Sequence, residues 1–159
     1  MVQNGLGDDC YVEMLDYTID LFESQGLGTN YYGYHNINHE LEVTYVSLLA
    51  IKQNKVEFTD EDIKYIYIAA LFHDFDPKKN VDKPHEKSVI KFISTEKKLR
   101  QLINATNIDL EIIKVLILRT TYPWSGEFRK NAEGQIKQCF QNSDLTRNNQ
   151  QYQQHIIEM

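Results

Sequence analysis

At 159 residues, 42% of them apolar, the chain can bury one real core, and it reads as a single domain over 1–159. A formal net charge of −6 leaves no basic footprint, which excludes a nucleic acid polymer as partner. Two cysteines, Cys10 and Cys139, make neither a disulfide framework nor a thiolate zinc site, and no apolar run nears the roughly 18 residues of a membrane span.

Met1 to Gly5 carries no charged-then-apolar signal, so the cytoplasm is the expected location. Asp8 and Asp9 offer an N-cap for a first helix with Val12, Leu15, Ile19 and Phe22 on one face. Gly26 and Gly28 end it. An aromatic, glycine-bearing loop over Thr29 to Tyr34 leads to a second helix starting near Asn36 or Asn38, with Leu41, Tyr45, Leu48 and Leu49 as its buried stripe. Thr59 and Asp62 form a capping box for a third helix. That helix is apolar nearly all round and therefore central; it runs into Phe72-His73-Asp74 and closes at Pro77.

Pro84 opens a fourth helix with Val89, Ile90, Phe92 and Ile93 toward the core. Leu99, Leu102 and Ile103 continue it after a break near Ser94-Thr95. Asp109 caps a strongly apolar helix through Ile112, Ile113, Leu116 and Ile117, ended by Pro123. Trp124 to Gly134 reads as a loop, and a last helix carries Ile136, Phe140, Asp144 and Leu145. The glutamine- and asparagine-rich end, 148–159, reads as an exposed tail. No run alternates at period two. The expected fold is all-α, a compact bundle of about six helices.

The chemistry concentrates in Tyr34-His35-Asn36-Ile37-Asn38-His39 and in His73-Asp74, which together hold three of the five histidines. Neutral imidazole is the commonest metal ligand in proteins. If the second helix reaches back to His35, then His35 and His39 share a face; if it starts later, His35 stands on the loop at the mouth of the site. His73 and Asp74 are about 100° apart around a helix and can lean toward one ion near its end. Asp144 is the best-placed further carboxylate. Such a mixed nitrogen and oxygen set suits Mn, Fe, Co, Ni or Zn better than Ca, with Mg kept among the candidate ions, and leaves open positions for water and one substrate oxygen. The water so acidified can attack phosphorus.

His39, His73-Asp74 and Asp144 match in order and rough spacing the H…HD…D signature, so the chain resembles the HD-domain metal-dependent phosphohydrolases. Tyr34 to His39 resembles the YHNxxH motif of cyclic-nucleotide phosphodiesterases and some small bacterial HD proteins. His85-Glu86-Lys87-Ser88 resembles the (H/N)E-x-x-S segment of many small HD hydrolases. The resemblance covers roughly 31–147. It implies an HD-like fold with His39, His73, Asp74 and Asp144 as metal ligands and His35 as general acid at the leaving group. Asp76, with Asp74, would orient the nucleophile. His85 and Glu86 would lie near the metal, and Lys78 and Lys79 would meet the substrate's charge. The implied activity is hydrolysis of a small phosphoester, a nucleotide among them; the alternative is a non-catalytic HD module that binds metal or nucleotide for signalling. The tandem histidines and GYP element of cyclic-di-GMP hydrolases are absent.

Overall fold

The computed structural model describes residues 6–24, 34–53, 58–75 and 86–159. Among them the chain is all-helical, as expected, with eight helices and no strand rather than about six helices. They are α1 (Asp9–Ser24), α2 (Ile37–Gln53), α3 (Asp60–Phe72), α4 (Glu86–Thr95), α5 (Lys97–Ala105), α6 (Leu110–Arg119), α7 (Gly126–Asn142) and α8 (Gln150–Glu158). No helix among the described residues is long and apolar enough to cross a membrane. Backbone contacts divide the chain into two units, Met1–Ile108 and Asp109–Met159. The expected signals at Gly26, Gly28, Pro77 and Pro84 lie outside the described residues.

In the first unit α2 packs along α3, α1 meets α3 and α5, and α4 meets α5. The buried face of α1 is Tyr11, Met14, Thr18 and Phe22, one residue round from the expected stripe; Val12 is exposed. Tyr11 fixes the rotation: its ring meets Tyr67 edge-on at 5.9 Å, and the Tyr67 hydroxyl donates to the Tyr11 carbonyl at 2.9 Å. Thr59 and Asp62 form the expected capping box, Thr59 Oγ1 accepting from the Asp62 N–H and Asp62 Oδ2 from the Thr59 N–H. Two of the first turn's orphan donors are thereby met. α3 then buries Tyr65, Tyr67, Ile68, Ala69, Leu71 and Phe72, nearly all round. Beyond it Phe75 is fully buried, with ring centroids 5.0 Å from Phe22 and 4.7 Å from Phe92. Burying such a ring stabilises by about 1.5–3 kcal/mol, so Phe75 anchors the chain directly after His73-Asp74.

The expected stripe of α2 is corrected by the structure. Tyr45 is exposed, Leu41, Leu48 and Leu49 are half-buried, and the buried face is Ile37, His39, Glu40 and Thr44. Burying polar groups is costly unless they are satisfied, and on this face His39 Nδ1 and Thr44 Oγ1 have no hydrogen-bond partner among the described residues.

The break near Ser94-Thr95 is real: Glu96 is in extended conformation, and its carboxylate caps α5 by accepting from the Leu99 N–H at 2.6 Å. In the second unit α6 packs on α7 and α8. Asp109 caps α6, as expected, accepting from the Glu111 N–H at 2.8 Å. Two expectations fail here. Trp124 to Gly134 is not a loop, because α7 starts at Gly126, whose φ of +54° suits glycine, and Gly134 lies inside the helix. Residues 148–159 are exposed over much of their length, as expected, but they form a docked helix rather than a tail. Asn149 caps α8 by accepting from the Tyr152 N–H at 3.0 Å, and Ile156 is fully buried.

Candidate metal centre

The site is built where the start of α2 lies beside the end of α3. α2 begins at Ile37 because Asn36 caps it, its Oδ1 accepting from the Asn38 N–H at 2.9 Å and the His39 N–H at 3.3 Å. His35 therefore stands before the helix, which settles the open alternative, and His39 projects from the first turn. On the other side α3 ends at Phe72. His73 is its C-cap in right-handed conformation, and Asp74 follows.

These elements bring His39, His73 and Asp74 together. His39 Nε2 and His73 Nε2 each lie 3.2 Å from Asp74 Oδ2. The three donors fall within 4.8 Å of one another and could hold a metal ion. Donors bound to one ion at about 2.0–2.2 Å stand roughly 2.8–3.6 Å apart in octahedral or tetrahedral geometry. Both contacts to Asp74 lie within that span, and two imidazoles with one carboxylate are an ordinary donor set for a borderline divalent ion. His35 Nε2, at 3.8 Å from the same oxygen and 30% exposed, falls outside the span and on the open side. Tyr34 lays its exposed ring 4.2 Å from the His39 ring.

Glu40, which the sequence reading passed over, is fully buried and ties the two halves together. Its Oε1 accepts the Asp74 N–H at 2.9 Å, and its Oε2 lies 2.9 Å from His73 Nδ1. The same Nδ1 lies 2.8 Å from the Ala70 carbonyl, in line to donate to it. A signal existed: Asn36, Glu40 and Thr44 recur every four residues, a polar stripe on a helix that must bury one face. His39 Nδ1 is buried without a hydrogen-bond partner among the described residues.

The electrostatics follow from this crowding. Burial pulls the His39 imidazolium below its ordinary range, aided by His73 and His35 and opposed by Asp74, so the neutral, ligating form is favoured. Burial opposes ionisation of Asp74 but is outweighed by the hydrogen bond and charge of His73, then by His35 and His39, which hold the carboxyl below its usual value. Burial raises Glu40. At His73 burial works against the charge, and Glu40 and Asp74 together overcome it and push the ring upward.

Asp144 belongs to the second unit. It sits in the turn after α7 rather than on a helix, exposed and ion-paired with Arg147. Its place in the ligand set stays an expectation from the motif. Glu86 is the half-buried first residue of α4. Asp76, Lys78, Lys79 and His85 lie outside the described residues. No family model, curated protein or solved structure matches the chain. The likeness to HD-domain proteins thus stands on its motif residues.

Proposed function

We propose that the chain is a metal-dependent phosphohydrolase of the HD type acting on a small phosphoester such as a nucleotide. The observation that carries this reading is the convergence of His39 Nε2 and His73 Nε2, from two helices, on one oxygen of Asp74. His39, His73 and Asp74 would hold the divalent ion, with Asp144 as the fourth ligand that the motif order implies. When bound, such an ion supplies Lewis acidity toward a phosphoryl oxygen and lowers the pKa of water at its open positions.

The chain's own groups do the rest. Glu40 keeps His73 and Asp74 in place through one buried carboxylate. Tyr34 and Asn36 hold His39 in the first turn of α2, one by ring contact and one as the helix cap. His35, half-exposed and 3.8 Å from Asp74, would donate a proton to a departing oxygen. Asp76 would orient the attacking water, Lys78 and Lys79 would meet the substrate's negative charge, and His85 and Glu86 would lie near the metal, as the family pattern implies.

The test is phosphate release by the purified full chain from a nucleotide panel and from p-nitrophenyl mono- and diesters, with each of Mn, Fe, Co, Ni, Zn and Mg added in turn. Metal-dependent turnover that His35→Ala slows is the expected result. Metal binding with no turnover on any phosphoester would instead make the chain a non-catalytic HD module.

A further inference from the structure

The second unit holds a feature that the metal centre does not use. A cavity of about 500 Å³ opens among Arg119, Trp124, Glu133, Lys137, Phe140 and Arg147, all within 109–159. That volume lies inside the roughly 300–1,000 Å³ usual for small-molecule sites. Its lining is partly apolar and aromatic, with Ile136 and Phe140 buried and Trp124 half-buried.

The charges around it do not cancel. Residues 109–159 carry six basic and six acidic side chains, so the chain's negative surplus lies wholly in 1–108. Four of the six bases have a carboxylate partner: Lys114 with Glu111, Arg129 with Glu133, Lys130 with Glu127 and Arg147 with Asp144. The two without one among the described residues are Arg119 and Lys137, and both line this cavity. Glu133, the acid on the wall, is engaged by Arg129 at 2.7 Å. The Arg119 guanidinium lies 5.0 Å over the Trp124 ring, which orients it as a flat donor beside an aromatic face.

Two unpaired cations beside a partly apolar and aromatic lining ask for a ligand with a doubly charged anionic end and a flat apolar body. We infer that this cavity is a binding site for an aromatic phosphomonoester, the class that includes nucleoside monophosphates. A phosphomonoester carries about −1.5 to −2 charges at neutral pH, which matches Arg119 and Lys137 together. The flat body would lie against Trp124. Arg147, held only by an exposed pair with Asp144, is free to turn toward the anion at little cost.

Trp124 is the sole tryptophan, so its fluorescence reports on this cavity directly. The experiment titrates the full chain, in EDTA to suppress phosphoester turnover, with AMP, 1-naphthyl phosphate, adenosine and inorganic phosphate. Excitation is at the red edge of the tryptophan band, and calorimetry serves as the second readout. AMP and naphthyl phosphate should bind saturably and alter Trp124 emission, and adenosine and phosphate alone should each bind at least about tenfold more weakly, a difference set by losing one half of the recognition. Lys137→Glu, on an exposed position that keeps the fold, should weaken AMP by a similar factor, whereas His39→Ala should leave binding unchanged. Absence of saturable binding of both aromatic phosphates up to about 5 mM, enough to fill a millimolar site, would overturn the inference. So would adenosine binding as well as AMP, or Lys137→Glu binding AMP as the wild type does. Because no metal enters the test, its result is separate from the phosphohydrolase reading.

Discussion

Glu40 in α2 accepts the backbone N–H of Asp74, just past the end of α3, at 2.9 Å across thirty-four positions of chain. One fully buried carboxylate thus fixes the backbone of the His-Asp doublet and, through its other oxygen, faces His73 Nδ1. Such outer partners set the tautomer and orientation of a ligating imidazole, and their loss typically costs about 10–100-fold in metal affinity. Glu40→Ala is therefore expected to weaken metal binding by about that factor, and to destabilise the fold by about 1–3 kcal/mol through the buried N–H it strands. Glu40→Gln, which can still accept from Asp74, should recover most of the stability and less of the affinity. Urea unfolding and metal calorimetry on both variants separate the two effects.

Alkaline pH should unfold the protein by way of its buried acids. Burial, with Cys10 and Asp8 nearby, pushes the Tyr11 phenol up to about 12, and burial, with Glu111 nearby, pushes the Cys139 thiol up to about 12. Both are raised in the folded state, so each favours the protonated fold. Their contribution is fully present below the unfolded values, about 9 to 10, and is lost as pH rises from there toward about 12. The melting temperature should fall over that window. In Tyr11→Phe the fall should be shallower, as thermal scans at stepped pH would show; an equal slope in both proteins would refute the assignment.

Gly134 sits inside α7 with nothing within 4 Å of where a Cβ would stand, and its φ is not in the left-handed region. Gly134→Ala should then stabilise the protein by about 0.5–1 kcal/mol, the usual helix-interior difference. A loss of stability in urea titration would mean that the helix does not run through this residue.

That glycine also shows where sequence reading stops. Thr59-Asp62, Asp109 and the apolar runs of α3 and α6 were legible because capping chemistry and helical periodicity act locally. The second half of the chain was not. α7 starts on one glycine and contains another, and α8 is rich in asparagine and glutamine, so composition pointed to loop and tail. Packing decided otherwise, through Ile136 and Phe140 on α7 and Ile156 on α8. The rotation of α1 turned on Tyr11, whose partner Tyr67 is distant in sequence. At the site, the grouping of His39 with His73-Asp74 was legible from their order in the motif, and the structure brings the three side chains together. Glu40 was passed over because a glutamate on a helix looks solvated when taken alone; its place in the four-residue stripe with Asn36 and Thr44 was the readable signal.

The central claim is that His39, His73 and Asp74 hold an ion. Elemental analysis of the protein purified without chelator, beside His39→Ala, His35→Ala and Asp144→Ala, tests it most directly. The expected result is one tightly held divalent metal per chain, lost in His39→Ala, weakened in Asp144→Ala and kept in His35→Ala. A wild-type protein that retains no divalent metal after equilibration with Mn, Fe, Co, Ni, Zn or Mg would contradict the account.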